Sequence, residues 1–214
     1  MGKKTDESMT WPKGYTPKDE SDDGLNIRHG LLSSILKERP KKKFNTEIFN
    51  VMAKRRSTRK FSRNPVEMWK IDKILAAADT APTAGNYQGF EIFYVRDNAK
   101  KDSLVKAANN QPYVKTPVVL VFCMNPDRIK LDFPKEVILK FSIQDSTLAA
   151  AYSQLAASAL GLSSIWIGMF DENKVKKIIG TDLRPTSFLC IGYPVKKRPP
   201  KSRRQLKELI HVVD

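Results

Sequence analysis

The chain has 214 residues, 41% of them hydrophobic, which is enough for one full-sized core and excludes global disorder. Its formal charge is +15, and residues 174–207 carry eleven Lys or Arg against the single acid Asp182. The longest apolar runs, such as VVLVFCM at 118–124, are too short to cross a bilayer, and MGKKTDESMT lacks the apolar centre of a secretory signal, so the expected location is cytoplasmic, with no membrane partner.

The first 43 residues are rich in Lys, Asp, Glu, Ser, Gly and Pro, with ten bases and seven acids. They read as an N-terminal extension lying on the surface or on a partner subunit, with a short amphipathic helix in HGLLSSILKERP and a basic close in KERPKKKF. The folded body is expected over 44–214. Its first helix lies in NTEIFNVMAKRRS, capped by Asn45 or Thr46, with Ile48, Val51 and Met52 at helical spacing. A stronger helix follows in NPVEMWKIDKILAAADTAP. Asn64 is its expected cap, Pro65 suits the first turn, and Ile71, Ile74, Leu75 and Ala78 form the buried stripe.

FEIFYVR (90–96) is rich in β-formers and bounded by Gly89 and Asp97, and predicts a strand. NAKKDSLVKAAN predicts a short polar helix, and TPVVLVFCMN (116–125) a strand buried on both faces. DSTLAAAYSQLAASALGL (145–162) has six alanines and almost no charge, and predicts a helix buried nearly all round. SSIWIGMF is expected as a connection, ENKVKKIIG as a helix closed by Gly180, SFLCIGYP (187–194) as a strand, and ELIHVVD (208–214) as a C-terminal strand. The fold class is α+β, with a central mixed or antiparallel sheet flanked by helices.

Several chemistries are disfavoured. Cys123 and Cys190 both sit in apolar runs and read as reduced core thiols rather than a disulfide framework. His29 and His211 are the only histidines and no zinc spacing occurs, so no metal site is expected. No G-x-G-x-x-G follows the first strand and no G-x-x-x-x-G-K occurs, which removes support for a Rossmann site or a P-loop. AKRRSTRKF (53–61) nevertheless places Arg55, Arg56, Arg59 and Lys60 within six positions around Ser57 and Thr58. Such a run serves either as the cationic end of a helix, suited to its dipole, or as an anion site.

Four stretches come together here: RRSTRKF (55–61), APTAGNYQGFEIFYV (81–95), ALGLSSIWIGMFD (159–171) and IGYPVKKRPPKSRR (191–204). In this order and spacing they resemble the nitroreductase family of FMN-dependent oxidoreductases, over about residues 45–214. The resemblance implies a nitroreductase-like, NAD(P)H-dependent FMN oxidoreductase. It would be a homodimer with swapped terminal segments, passing hydride through flavin N5 to nitroaromatics, quinones or other small electron-poor acceptors by ping-pong exchange. It implies that the flavin, rather than any catalytic side chain, carries the chemistry.

The resemblance also assigns roles. Arg55, Arg56 and Ser57, with Lys201 and Arg203, would clasp the FMN phosphate and ribityl chain, chemistry for which planar guanidinium groups are well suited. Arg59 would stand by N1 and O2, where negative charge develops on reduction. Pro82, Thr83, Ala84, Asn86 and Gln88 would meet a flavin bound mainly to the other subunit. Trp166, Ile167, Gly168 and Met169 would cover one flavin face, and one of Asn109, Asn110 and Gln111 would contact the ring. Two departures from the family pattern stand out, Thr83 in place of Ser and Gly89-Phe90 in place of Pro-Trp. Two alternatives remain open. One is a specialised member, a dehalogenase or a flavin-processing enzyme, with its lid in NPDRIKLDFPKEVILKF (125–141). The other is a nucleic-acid-binding module on the basic segment, disfavoured because only Tyr193 is close enough to stack on bases. No nucleic-acid partner is therefore expected.

Overall fold

The computed structural model describes residues 47–196, 198–199 and 202–213. The expected extension over 1–43, the caps Asn45 and Thr46, and Lys201 lie outside the described residues.

The core is a four-stranded sheet with helices on both faces. β1 (Phe90–Val95), β2 (Val118–Met124), β3 (Ser163–Ile167) and β4 (Pro185–Gly192) run in the order β1-β2-β4-β3, every neighbouring pair antiparallel. β2 pairs Leu120 with Tyr94 on one side and with Leu189 on the other, and all its residues are buried. Strand alternation divides its side chains between two clusters. Leu120 and Phe122 join Leu189 and Ile191 on one face, while Val119, Val121 and Cys123 join Phe188 and Cys190 on the other. Phe122 and Phe188 are wholly buried, each worth about 1.5–3 kcal/mol by transfer.

The first face is covered by α2 (Met68–Asp79) and α4 (Lys135–Ala159), the second by α3 (Asn98–Ala107) and α5 (Glu172–Ile179). α1 (Ile48–Lys54) packs on α4. Small residues let α4 approach the sheet and α2: Ser142, Ser146, Ala149, Ala150, Ser153 and Ala157 are all buried. Asp97 and Asp171 cap α3 and α5 through the N–H groups of Lys100 and Lys174, and Gly180 closes α5 at φ 75°.

Several expectations are corrected. The N-cap of α2 is Glu67, not Asn64, so Pro65 precedes the helix. SSIWI is the edge strand β3, not a connection. α4 begins ten residues before Asp145, behind Pro134, so the second half of the stretch expected as a lid is helix. α4 is not buried all round within one chain, since Ile143, Leu148 and Tyr152 are each more than a third exposed. The expected C-terminal strand is absent among the described residues. A single 3-10 turn at Leu206–Glu208 leads into an exposed tail with Ile210, Val212 and Val213 outward. A strand needs a partner to satisfy its ladder, and no strand among the described residues pairs with this segment. Among the described residues no helix is long and apolar enough to cross a membrane.

Candidate functional site

The opening motif is held as a third rail along the sheet edge. Ser57 pairs in parallel with Ser164 of β3, and the Thr58 N–H donates to the Ser164 carbonyl at 2.9 Å. Further along, the Ser62 N–H donates to the Tyr193 carbonyl at 2.8 Å and the Val195 N–H to the Lys60 carbonyl at 3.1 Å. These bonds cover the free edge of β3 and bring residues 55–63 beside the chain that leaves β4. That chain leads to Arg198, Ser202 and Arg203.

The result is a cleft of about 610 Å3 lined by the guanidinium-bearing residues Arg55, Arg56, Arg59, Arg198 and Arg203. Ser57 and Ser202 add hydroxyls to its wall, and no acidic residue lines it among the described residues. Burial is the main cause that holds the Arg55 guanidinium below its usual pKa, followed by the charges of Arg203 and Arg56. Like charges gathered this closely without a counter-ion fit a phosphate dianion, whose oxygens accept charge-assisted hydrogen bonds from all of them. Arg56 plays a mixed part. Its Nη1 donates to the carbonyls of Ala53 (2.6 Å) and Arg55 (2.7 Å) at the end of α1, while its buried Nε has no partner among the described residues. The helix-capping role and the anion-site role of this run are thus divided among its arginines.

Arg59 faces differently. Its guanidinium lies over the Tyr113 ring, 5.7 Å from the centroid. The Tyr113 hydroxyl donates to Gln111 Oε1, and Gln111 Nε2 donates to the Met169 carbonyl at 3.3 Å. This chain of contacts ties the opening motif to the turn after β3, where Gly168 and Met169 are exposed and Trp166 is half-buried. Asn109 and Asn110 lie just past α3 at φ 55° and 57°, both exposed.

The segment 81–89 is elsewhere. Pro82, Thr83 and Ala84 line a separate, largely apolar cleft of about 550 Å3 with Phe141, Ile143 and Leu148 of α4, and it shares no residue with the cationic cleft. Its polar side chains bond one another. Thr83 Oγ1 accepts from the Gln88 N–H (3.2 Å) and from Gln88 Nε2 (3.3 Å), and Gln88 Nε2 also donates to the carbonyl and Oδ1 of Asn86, both at 2.6 Å. Gly85, Asn86 and Gln88 all have φ between 47° and 58°, uncommon for Gln and held here by tertiary contacts. The principal anchor is Asp145. Its buried carboxylate accepts the N–H of Ala84 and of Gly89, each at 3.0 Å. The departure at Gly89 follows from this bond, because proline has no N–H to give.

A model of the nitroreductase family matches residues 52–193. The chain belongs to the nitroreductase family. It is 28% identical over 181 residues to an FMN reductase [NAD(P)H] of Bacillus subtilis, covering 77% of this chain and 73% of that protein. Among solved structures it resembles the NfrA1 nitroreductase of B. subtilis, with TM-score 0.71, 28% identity and 77% and 73% of the two chains covered. It also resembles the NADPH:FMN oxidoreductase of Vibrio harveyi complexed with NAD+, with TM-score 0.73, 25% identity and coverage of 78% and 77%. The nitroreductase expectation, carried by four short motifs, agrees with all three.

In this nitroreductase, Arg55, Arg56, Ser57, Arg59 and Arg203 meet at one cleft, while Pro82, Thr83 and Ala84 meet at another. Sequence alone marked Ser202 within the late K-S-R run but did not single out Arg198, Tyr113 or Asp145. Arg198 lies inside the quoted basic close, but Tyr113 carries no motif. Asp145 had a visible signal, being the lone acid at the head of an otherwise uncharged, alanine-rich run.

Proposed function

We propose that the protein is a homodimeric FMN-dependent oxidoreductase that uses NAD(P)H to reduce nitroaromatics, quinones or similar electron-poor acceptors. The observation that carries this reading is the meeting of Arg55, Ser57 and Arg203 in one cleft that no acidic residue lines among the described residues. The names of the relatives, an FMN reductase and an NADPH:FMN oxidoreductase, point the same way.

FMN, when bound, supplies the electron-transfer chemistry between nicotinamide and acceptor. The chain's own groups hold and tune it. Arg55, Ser57, Ser202 and Arg203 grip the phosphate, with Lys201 from the same stretch. Each well-formed charge-assisted bond is worth about 1.5–3 kcal/mol. Arg59, which lines the same cleft and lies over Tyr113, sets a fixed positive charge there, where it stabilises negative charge as it develops. Ile167 is buried in the core, while the half-buried Trp166 and the exposed Gly168 and Met169 carry the flavin-facing role, and Gly168 has nothing within 4 Å of a would-be Cβ except Trp166 Nε1 at 3.8 Å. That open space suits close backbone approach to a flat ring. One mouth serving both donor and acceptor gives ping-pong kinetics.

The second subunit answers where Thr83, Asn86 and Gln88 act. Thr83, to which Gln88 is bonded, borders the exposed apolar side of α4, with Ile143 and Leu148 beside it, and α1 adds exposed Phe49 and Met52. Apolar surface of this kind on two elements that pack together favours a subunit contact. The segment 81–89 then reaches the flavin held by the partner's arginines, and the exposed tail with Ile210, Val212 and Val213 lies on the neighbour. Purified protein is expected to be yellow, to bleach on addition of NADH or NADPH without oxygen, and to sediment as a dimer. Protein that stays colourless after incubation with FMN sinks the reading, and a monomer with flavin bound sinks the dimer.

A further inference from the structure

Across the 57–63 segment from the arginine cleft lies a second and larger one, of about 1050 Å3. Its walls carry five cations, from Arg59, Lys60, Arg63, Lys101 and Lys115, and no acidic residue lines it among the described residues. The cations differ in how they are engaged. Lys115 is paired with Asp102 at 2.6 Å on the rim. Arg59, Lys60 and Arg63 are exposed and make no ion pair with an acidic side chain among the described residues. Lys101 is only 5% exposed, and its ammonium donates to the carbonyls of Thr116 (2.9 Å) and Pro117 (2.8 Å). An ammonium has three N–H donors, so one remains beyond these two. Buried charges are ordinarily paired, yet this one sits in a wall of further positive charge with only neutral carbonyls for support.

Tyr94, Tyr113 and Phe61 also line the cleft and give its wall aromatic surface. Its volume is far larger than one phosphate requires. Arg59 borders both clefts, so a ligand here would lie against the cofactor site of the function proposed above. We propose that this cleft binds the diphosphate group of a nucleotide, with Lys60, Arg63 and the Lys101 ammonium as its ligands and the aromatic walls beside them. Two sources share that chemistry, the diphosphate bridge of the nicotinamide donor and a separate nucleotide. The location next to the flavin mouth rests on the proposed function. The diphosphate site itself does not.

The test uses the full chain saturated with FMN, so that the first cleft is filled, and inorganic pyrophosphate as the probe. Titration calorimetry at low ionic strength is expected to show binding at sub-millimolar concentration. The double variant Lys60→Ser, Arg63→Ser is expected to weaken it by about tenfold or more, as loss of two charge-assisted contacts requires. FMN affinity should stay within about twofold, because neither side chain lines the first cleft. Chloride at matched ionic strength serves as the control for simple screening. A rise in KM for NADH and NADPH with kcat unchanged in the double variant assigns the site to the donor. Loss of pyrophosphate binding with both KM values unchanged assigns it to another nucleotide. No binding by the wild type at millimolar pyrophosphate, or equal binding by wild type and variant, overturns the proposal. Failure of the oxidoreductase reading shows separately, as the absence of a bound-flavin spectrum before pyrophosphate is added. The comparison of wild type and double variant then still reports on the second cleft alone.

Discussion

Arg55 and Arg203, from opposite ends of the folded chain, line the same cleft, and the charge of Arg203 helps hold the Arg55 guanidinium below its usual pKa. Repulsion of this kind raises the free energy of the empty site and is relieved by a bound anion. Replacing Arg203 with Ala removes charge-assisted bonds worth about 1.5–3 kcal/mol, so FMN affinity should fall by about 10- to 150-fold. Arg203 is exposed, and the melting temperature of the flavin-free protein should not fall. Fluorescence titration with FMN beside a thermal melt reads both quantities. An unchanged Kd would remove Arg203 from the site.

Gly168 gives a test of opposite design. An added methyl meets only Trp166 Nε1 at 3.8 Å, so Gly168→Ala should change folding stability by less than about 0.5 kcal/mol. If a flat cofactor approaches that backbone, the same methyl obstructs it and FMN affinity drops. Unaltered flavin binding by Gly168→Ala would show that no ring comes close there.

Gly89 is crowded instead. A Cβ there would lie 2.6 Å from Ile129 Cδ1, 2.8 Å from its Cγ1 and 3.0 Å from Asp145 Oδ2. Ile129 is buried, so it has little room to retreat. Gly89→Ala should cost about 1–3 kcal/mol by overpacking. Gly89→Pro should cost more, since it also removes the N–H that Asp145 accepts. Chemical denaturation of the two variants ranks them, and a neutral proline would contradict the account of this departure from the family pattern.

Asp145 makes stability depend on pH. Burial pushes its pKa up, and the N–H bonds from Ala84 and Gly89 oppose that without cancelling it. The native state therefore holds this proton more tightly than the unfolded chain, whose value is the ordinary 3.8. The associated stability is complete below pH 3.8 and is lost as pH rises through the raised native value. Asp145→Asn lacks this term, while an amide facing two N–H donors leaves one unpaired at a cost of about 1–3 kcal/mol. The gap in urea midpoint between wild type and variant should narrow as pH rises from 3.8. A gap that widens would show that the carboxylate's pKa is depressed instead.

Both cysteines should be inert in the folded protein. Burial pushes the Cys123 thiol up to about 12, and complete burial pushes Cys190 up further. Thiolate, the reactive form, is then scarce at pH 8. Ellman's reagent should find two thiols in denaturant and none in buffer. Rapid labelling of the native protein would place one of them at an accessible surface.

Much of this architecture was legible in the chain itself. The uniform apolar run at 118–124 marks a central strand, because only a strand covered on both faces has no polar side. Gly180 closes α5 where a left-handed residue is needed. β3 was not legible, since five residues carry too little periodicity, and their extended form comes from pairing with β4 and Thr58. The start of α4 was masked by its mixed composition, although Pro134 was a boundary signal. ELIHVV has strand composition but no partner among the described strands, so its pattern alone did not make it one.

Local pattern determined the helices, the buried strands and the presence of clustered arginines, because periodicity and charge are properties of neighbouring residues. Tertiary structure decided which of those arginines meet, that Pro82 and Thr83 stand apart from them, and that Lys60, Arg63 and Lys101 share a second cleft. Those placements depend on antiparallel pairing between segments distant in the chain. The free energy of such pairing comes from burying both faces of the sheet at once, a quantity that no short stretch contains.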